Sequence, residues 1–199
     1  MDIGLILASK SPRRKEILSN VGLDFEIYVS DTDESVPFGT LPYDAVMQIS
    51  RRKAEAVRNA LGEKAKGKII LGADTVVTLE NRIIGKPKDK DDAVEILKSL
   101  SGKRHVVYTG FTVIKDDFLY SDFESTNVYF RSLTQAEIIA YVNSGEPMDK
   151  AGAYGIQQLG ALLVNKIHGD YFNVMGLPIN RIAVTFNEKL GINILCKNN

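Results

Sequence analysis

The sequence predicts an α/β protein: a mixed, twisted sheet flanked by helices, with two lobes, a central cleft and one domain over residues 1–199. Three observations carry this. Ile3 to Ala8 and Lys68 to Ala73 are short, continuous apolar runs of the kind that form strands covered on both faces, as in parallel sheets. Helical patterns with recognisable start signals alternate with strands through the first half, which implies βαβ units. After residue 68, successive strand patterns are separated by short polar turns, which implies hairpins and an antiparallel part. No composition shift marks a linker.

Each element has a local cause. After the first strand, Ser11-Pro12 opens a helix, because Ser is a favoured N-cap and Pro suits the first helical position. Ile17, Leu18 and Val21 supply its apolar stripe and Gly22 ends it. Phe25 to Val29 alternates as a second strand. Residues 30–42 read as an acidic loop punctuated by Pro and Gly. A helix over 43–61 follows, with Val46, Ile49, Lys53, Ala56 and Ala60 on one side. The strand from Lys68 continues through Thr75 to Leu79, turns at Glu80-Asn81-Arg82 and returns over Ile83 to Gly85. Asp91 to Leu100 forms an amphipathic helix, and Ser101-Gly102 a turn. Strands near 105–115 and 119–131 are joined at Asp116-Asp117. Thr134 opens a helix over 134–143, with Glu137 as its capping-box partner. A Gly-rich irregular stretch over 144–160, a short strand over 162–167 and a helix over 178–189 complete the chain.

Composition removes several classes of function. Lys and Arg number 25, as do Asp and Glu, so the formal net charge is zero. Nucleic-acid binders and polybasic membrane-surface proteins carry a basic excess that is missing here. No apolar run reaches the roughly 18–20 residues that span a bilayer, and the N-terminal run is too short for a secretory leader. The single cysteine, Cys196, forms no internal disulfide and has no histidine near it in sequence. A cytoplasmic protein is the expectation.

Four places can hold chemistry. The first is Ala8-Ser9-Lys10-Ser11-Pro12-Arg13-Arg14, between a buried strand and a helix N-terminus. Ligands gather at the carboxyl ends of strands in open α/β sheets, and a helix N-terminus offers unpaired N–H groups to phosphate. Ser9 and Ser11 add hydroxyls, and Arg13 and Arg14 add forked cationic donors. The alternative is an ordinary capped helix with solvated arginines, although arginine in a first turn opposes the helix dipole. Neither a Walker loop nor a dinucleotide fingerprint is present.

The second place is Gly72-Ala73-Asp74-Thr75, where a carboxylate interrupts an apolar strand and needs a cation, a metal or a cleft wall. A structural hydrogen bond remains open as its role. The loop Ser30-Asp31-Thr32-Asp33-Glu34 reads either as a solvated acidic turn or as a source of carboxylates that join Asp74 around Mg²⁺ or Mn²⁺, hard cations that prefer oxygen. The third is Lys86, between Gly85 and Pro87, whose pattern fits a surface lysine as well as a functional one. Lys53, mid-helix, has a weaker local pattern still. The fourth is the loop from Gly145 to Gln157, whose three glycines and one aromatic fit a functional loop or a structural surface loop. Gln157 both donates and accepts, so it suits a base edge. His105 and His168 lie far apart and read as structural. No Ser/His/Asp arrangement is legible.

In this order, Leu7-Ala8-Ser9-Lys10-Ser11-Pro12-Arg13-Arg14, Glu34, Arg52-Lys53-Ala54, Gly72-Ala73-Asp74-Thr75, Gly85-Lys86-Pro87, Ser101-Gly102-Lys103, Thr109-Gly110, the 145–157 loop and Gly169 to Pro178 resemble the Maf family of nucleoside triphosphate pyrophosphatases. The resemblance runs nearly end to end. It implies a fold related to the inosine triphosphatases and hydrolysis to a nucleoside monophosphate and pyrophosphate. Asp149 to Gln157 resembles the branch acting on dTTP and UTP, with modified pyrimidine triphosphates as further candidates and a house-cleaning role. By the same likeness Asp74 corresponds to the proton acceptor, and Glu34, Lys53 and Lys86 to further active-site positions. Arg13, Thr75 and Gln157 correspond to specificity positions. Glu34 and Asp74 would hold the divalent metal, and Ser9, Ser11 and Arg14 would join the substrate contacts. Gln158-Leu159-Gly160 departs from the Gly-Arg-Gly usual after the reading glutamine. The resemblance also implies a homodimer, and no nucleic-acid or membrane partner is expected. The alternative from another class is a nucleotide-sensing regulator of septum formation that binds without hydrolysis.

Overall fold

The computed structural model describes residues 2–29 and 31–196; Met1, Ser30 of the acidic loop, and residues 197–199 lie outside the described part. The chain runs β1 (Asp2–Leu7), α1 (Pro12–Asn20), β2 (Asp24–Ile27), α2 (Pro42–Leu61), β3 (Ile69–Leu79), β4 (Arg82–Ile84), α3 (Lys90–Leu100), β5 (Arg104–Lys115), β6 (Phe118–Phe130), α4 (Gln135–Asn143), β7 (Val164–His168), α5 (Tyr171–Met175) and α6 (Ile179–Leu190). Short 3₁₀ turns occupy Gly62–Ala65, Glu146–Asp149, Ala151–Ala153 and Gln158–Leu163.

Seven strands form one sheet in the order β2-β1-β3-β5-β6-β7, with β4 paired to β3. β1 pairs in parallel with both β2 and β3. β4 and β7 pair antiparallel with β3 and β6. The sheet is therefore mixed, as the sequence predicts. The β3–β4 connection is a two-residue turn in which Glu80 and Asn81 both take positive φ, 52° and 64°. That backbone matches the right-handed twist of a hairpin.

By contacts the chain divides into two compact units. The first comprises residues 1–74, 109–124 and 176–199. The second comprises 75–108 and 125–175. β3, β5 and β6 each give one end to each unit.

In the first unit, α2 packs against β1, β3 and β5. Ala54 and Val57 meet Ile6, Ile70 and Ile114. The buried face of α2 is Ala45, Val46, Ile49, Ser50, Ala54 and Val57. This corrects the expected stripe, in which Ala56 and Ala60 took part; Ala60 is exposed. Two glycines on neighbouring strands set the true face. A Cβ at Gly72 would overlap the Ser50 carbonyl oxygen and sit 3.0 Å from the Ala54 Cβ, and one at Gly110 would lie 2.5 Å from the Val46 carbonyl. The helix settles where the sheet lacks side chains. Val21 is also displaced from the expected stripe of α1. It follows the last helical residue as the C-cap and is 37% exposed, whereas Ile17 and Leu18 are fully buried.

In the second unit, α3 and α4 cover the sheet. Ala93, Leu97, Leu100, Ile138, Tyr141 and Val142 meet Val77, Val107, Val128 and Phe130. Thr134 and Glu137 close the predicted capping box on α4. Among the described residues, no helix is long and apolar enough to cross a membrane, and Cys196 is a free, exposed thiol.

Candidate active site

The first unit gathers the polar residues of its three functional segments. At the end of β1 the Ala8 N–H donates to the Leu71 carbonyl (2.9 Å), which fixes the strand exit beside β3. Ser9 is buried, and its hydroxyl accepts from the Ser11 N–H (3.2 Å) and from Arg14 Nη1 (3.0 Å). Ser11 is the N-cap of α1, but its side chain makes no capping bond. The Ser11 hydroxyl thus leaves the helix N-terminus to other partners.

Arg14 is turned inward. Its residue exposure is 8%, and besides Ser9 its guanidinium donates to the Ala73 carbonyl (2.9 Å) and, through Nε, to the Gly176 carbonyl (2.7 Å). One side chain thereby ties the strand exit, the β3 segment next to Asp74 and residue 176 together. Burial lowers its pKa, Asp74 and Glu34 oppose that, and neighbouring Arg13 adds to it. An arginine stays protonated through shifts of this kind. The sequence places Arg14 among phosphate ligands; the structure gives three of its donor contacts to the protein's own oxygens.

Asp74 lies on the pleat of β3 that faces α2, as do Ile70 and Gly72. Lys53 reaches it from α2, with Nζ 2.7 Å from Asp74 Oδ1 and 2.8 Å from Glu34 Oε1. The Lys53 and Asp74 side chains are 15% and 12% exposed, and Glu34 is 56% exposed. The need for a cation at Asp74 is met by a lysine whose own sequence pattern is the weakest of the set. Arg52, which stands in the Arg52-Lys53-Ala54 motif but for which the sequence predicts no role, donates from Nη1 to the Asp33 carbonyl and from Nη2 to the Ser35 carbonyl, both at 2.8 Å.

The two carboxylates suit a hard divalent cation. Both present an oxygen to one ammonium nitrogen, so a positive charge already stands between them. Among the described residues no group of three or more His, Cys, Asp or Glu is arranged for a metal. Mg²⁺ takes one or two carboxylates and completes its shell with water and phosphate, so Glu34 and Asp74 are the residues that would hold it.

The second unit carries Thr75, Lys86 and Gln157. Thr75 follows Asp74 on β3 and so points to the opposite pleat. Lys86 is exposed, and the preceding Gly85 carbonyl accepts from the Gly152 N–H at 2.9 Å. This bond couples the 85–87 segment to the long loop. Gly152 takes a positive φ of 70° with Val77 packed against it, where a Cβ would come within 2.9 Å of the Val77 side chain. Gln157 is half-buried. The turn after it is clasped by Glu146, whose carboxylate accepts from the Tyr141 hydroxyl (3.0 Å) and from the Leu159 and Gly160 N–H groups (3.2 Å each). Gln158 adopts a positive φ of 53°. The family's usual glycine would do so without strain, which gives the Gln158 departure a local cost. Beneath the loop, His105 Nε2 lies 2.7 Å from the Tyr154 hydroxyl, both groups buried. His168 is exposed at the end of β7.

These features define an α/β protein with a lysine-bridged carboxylate pair and a strand-to-helix loop rich in serine and arginine. The chain belongs to the Maf family: the family model for Maf-like protein matches residues 4–189. A Thermoanaerobacter sp. (strain X514) protein named dTTP/UTP pyrophosphatase is 48% identical over 193 residues, covering 96% of this chain and 99% of that one. A Bacillus anthracis (strain CDC 684 / NRRL 3495) protein of the same name is 51% identical over 179 residues, covering 90% and 92%. Among solved structures, the Staphylococcus aureus Ham1 protein aligns at 13% identity with a TM-score of 0.45 over 65% of this chain and 72% of that one.

Proposed function

We propose that this chain is a metal-dependent nucleoside triphosphate pyrophosphatase acting on dTTP and UTP. The observation that carries the reading is the Glu34–Lys53–Asp74 arrangement, in which two carboxylates converge on one ammonium in a chain about half identical to proteins named for that activity. Water attacks the α-phosphorus and passes its proton to Asp74. The bond to the bridging oxygen breaks, so pyrophosphate leaves and the nucleoside monophosphate remains. Glu34 and Asp74 would hold Mg²⁺ or Mn²⁺, which would supply charge neutralisation to the triphosphate. Arg13, with the Ser9–Ser11 loop, takes phosphate oxygens, while Arg14 holds the loop in shape; Lys86 is assigned to the activity by the family resemblance alone. Lys53 pairs with Asp74 and orients it. Gln157 pairs with the imide edge shared by thymine and uracil, and Thr75 is assigned to specificity. A house-cleaning role, a cytoplasmic site of action and a homodimer belong to the same proposal.

The test is pyrophosphate release from a panel of pyrimidine and purine triphosphates, with and without Mg²⁺, by wild type and Asp74→Asn. The expected result is metal-dependent turnover of dTTP and UTP, lowered at least about 100-fold by the substitution, as for loss of a general base. Melting should change little, because asparagine still accepts from Lys53. Wild-type turnover by Asp74→Asn would remove the assigned base. Equal turnover of purine triphosphates would remove the base-reading role of Gln157.

A further inference from the structure

Glu34 stands on a stretch, residues 31–41, that holds neither helix nor strand. A carboxylate there has no rigid element to aim it. The structure supplies one from α2. Arg52 and Lys53 are consecutive on that helix and project about 100° apart. Lys53 takes the Glu34 carboxylate at 2.8 Å. Arg52 takes the backbone on both sides of it, with Nη1 on the Asp33 carbonyl and Nη2 on the Ser35 carbonyl. The Asp33 carboxylate closes the same turn, accepting from the Ser35 N–H and the Ser35 hydroxyl, each at 2.8 Å. It lies 3.9 Å from the Arg52 guanidinium.

Taking the proposed active site as the frame, we infer that Arg52 is a positioning residue for the acidic pair. Its planar fork fixes the two peptide carbonyls flanking Glu34, so that the Glu34 carboxylate is delivered to the same ammonium as Asp74. Geometry separates this from a surface ion pair. Arg52 and Asp33 side chains are 33% and 74% exposed, and a pair at 3.9 Å in that setting contributes little to stability. The two carbonyl bonds are short and charge-assisted and need the rigid spacing of a guanidinium, which a lysine lacks. The role is therefore one of orientation, and it shows in the acidic pair's use of metal more than in melting.

The experiment uses the full chain and follows pyrophosphate release from dTTP over a series of Mg²⁺ concentrations. Arg52→Ala should lower kcat about 10–100-fold, the range for residues that orient metal-binding carboxylates. The Mg²⁺ concentration for half-maximal rate should rise, the KM for dTTP at saturating Mg²⁺ should stay within about twofold, and the melting temperature should stay within about 3 °C. Arg52→Lys, which keeps the charge and loses the fork, should behave like Arg52→Ala. In a Glu34→Gln background, Arg52→Ala should add no further loss. An unchanged Mg²⁺ dependence and rate in Arg52→Ala, or full activity in Arg52→Lys, would overturn the inference while leaving the active-site reading intact. Wild-type turnover by Glu34→Gln would instead remove the active-site reading on which it rests.

Discussion

Acid should weaken the second unit through one buried imidazole. His105 is 1% exposed, and Phe130 and Tyr154 present their rings edge-on at centroid distances of 4.9 and 5.2 Å. Its Nε2 meets the Tyr154 hydroxyl, and its Nδ1 has no hydrogen-bond partner among the described residues. Burial disfavours the charged ring and lowers its pKa from 6.5 to about 4. The unfolded chain therefore takes up a proton near pH 6.5, and the folded chain only near pH 4. Stability from this group is complete above pH 6.5, falls as pH drops from 6.5 to 4, and falls no further below 4. Each unit of separation corresponds to about 1.4 kcal/mol, so acidification from pH 7 to 4.5 should remove about 2 kcal/mol. His105→Phe isolates the effect. The ring loses the Tyr154 bond, a cost that does not depend on pH, and cannot titrate. Urea unfolding of both proteins at pH 7, 5.5 and 4.5 gives the measurement. The advantage of wild type over His105→Phe should shrink by about 2 kcal/mol across that range, because acid losses from carboxylates are common to both proteins. A difference constant to within about 0.5 kcal/mol would refute the reasoning, by showing that the imidazole titrates alike in the folded and unfolded chains.

Two further predictions concern backbone geometry. Gly72→Ala places a Cβ against the Ser50 carbonyl at the contact between β3 and α2. It should cost about 2–3 kcal/mol and lower the melting temperature by roughly 5–10 °C, with turnover falling as Lys53 is pushed from Asp74; an unchanged thermal transition would contradict the close approach. At position 158 the positive φ of 53° should make Gln158→Gly neutral or slightly stabilising. Gln158→Val should lose about 1–2 kcal/mol, because a β-branched residue resists that conformation; urea midpoints in the opposite order would refute the assignment.

Long strands were legible because their causes are local. Apolar runs, the Glu80-Asn81 turn and the Thr134–Glu137 box all act within a few residues. The buried face of α2 was not, because Gly72 and Gly110, distant in sequence, decide it. Helix α5 also escaped, being five residues long and held by distant partners: Thr126 Oγ1 donates to the Asp170 carbonyl, and Asn173 Nδ2 donates to the Val107 carbonyl and to Thr126 Oγ1. The site divides the same way. Asp74 announced itself by interrupting an apolar strand, and Ser9 to Arg14 by opening a helix after one. The inward turn of Arg14 and the reach of Arg52 toward the loop depend on which carbonyls tertiary structure brings near them, and no spacing rule encodes that.

The zero net charge of the chain takes on meaning at the same residues. An Asp74 side chain only 12% exposed requires a cation, and Lys53 provides one. Sharing that lysine with Glu34 leaves the carboxylate pair one positive charge short. A divalent cation suits the carboxylate pair, and Arg13 and Arg14 of the same unit more than offset the formal deficit. Three Arg14 donor bonds go to neutral oxygens, and its charge interacts with Asp74 and Glu34. Charges of opposite sign a few ångströms apart largely cancel beyond about 10 Å at ordinary ionic strength. Under the proposed function this local charge serves a small phosphate ester, while a formal net charge of zero supplies no general attraction for a long polyanion. A neutral chain can in this way bind a highly charged nucleotide without becoming a general nucleic-acid binder.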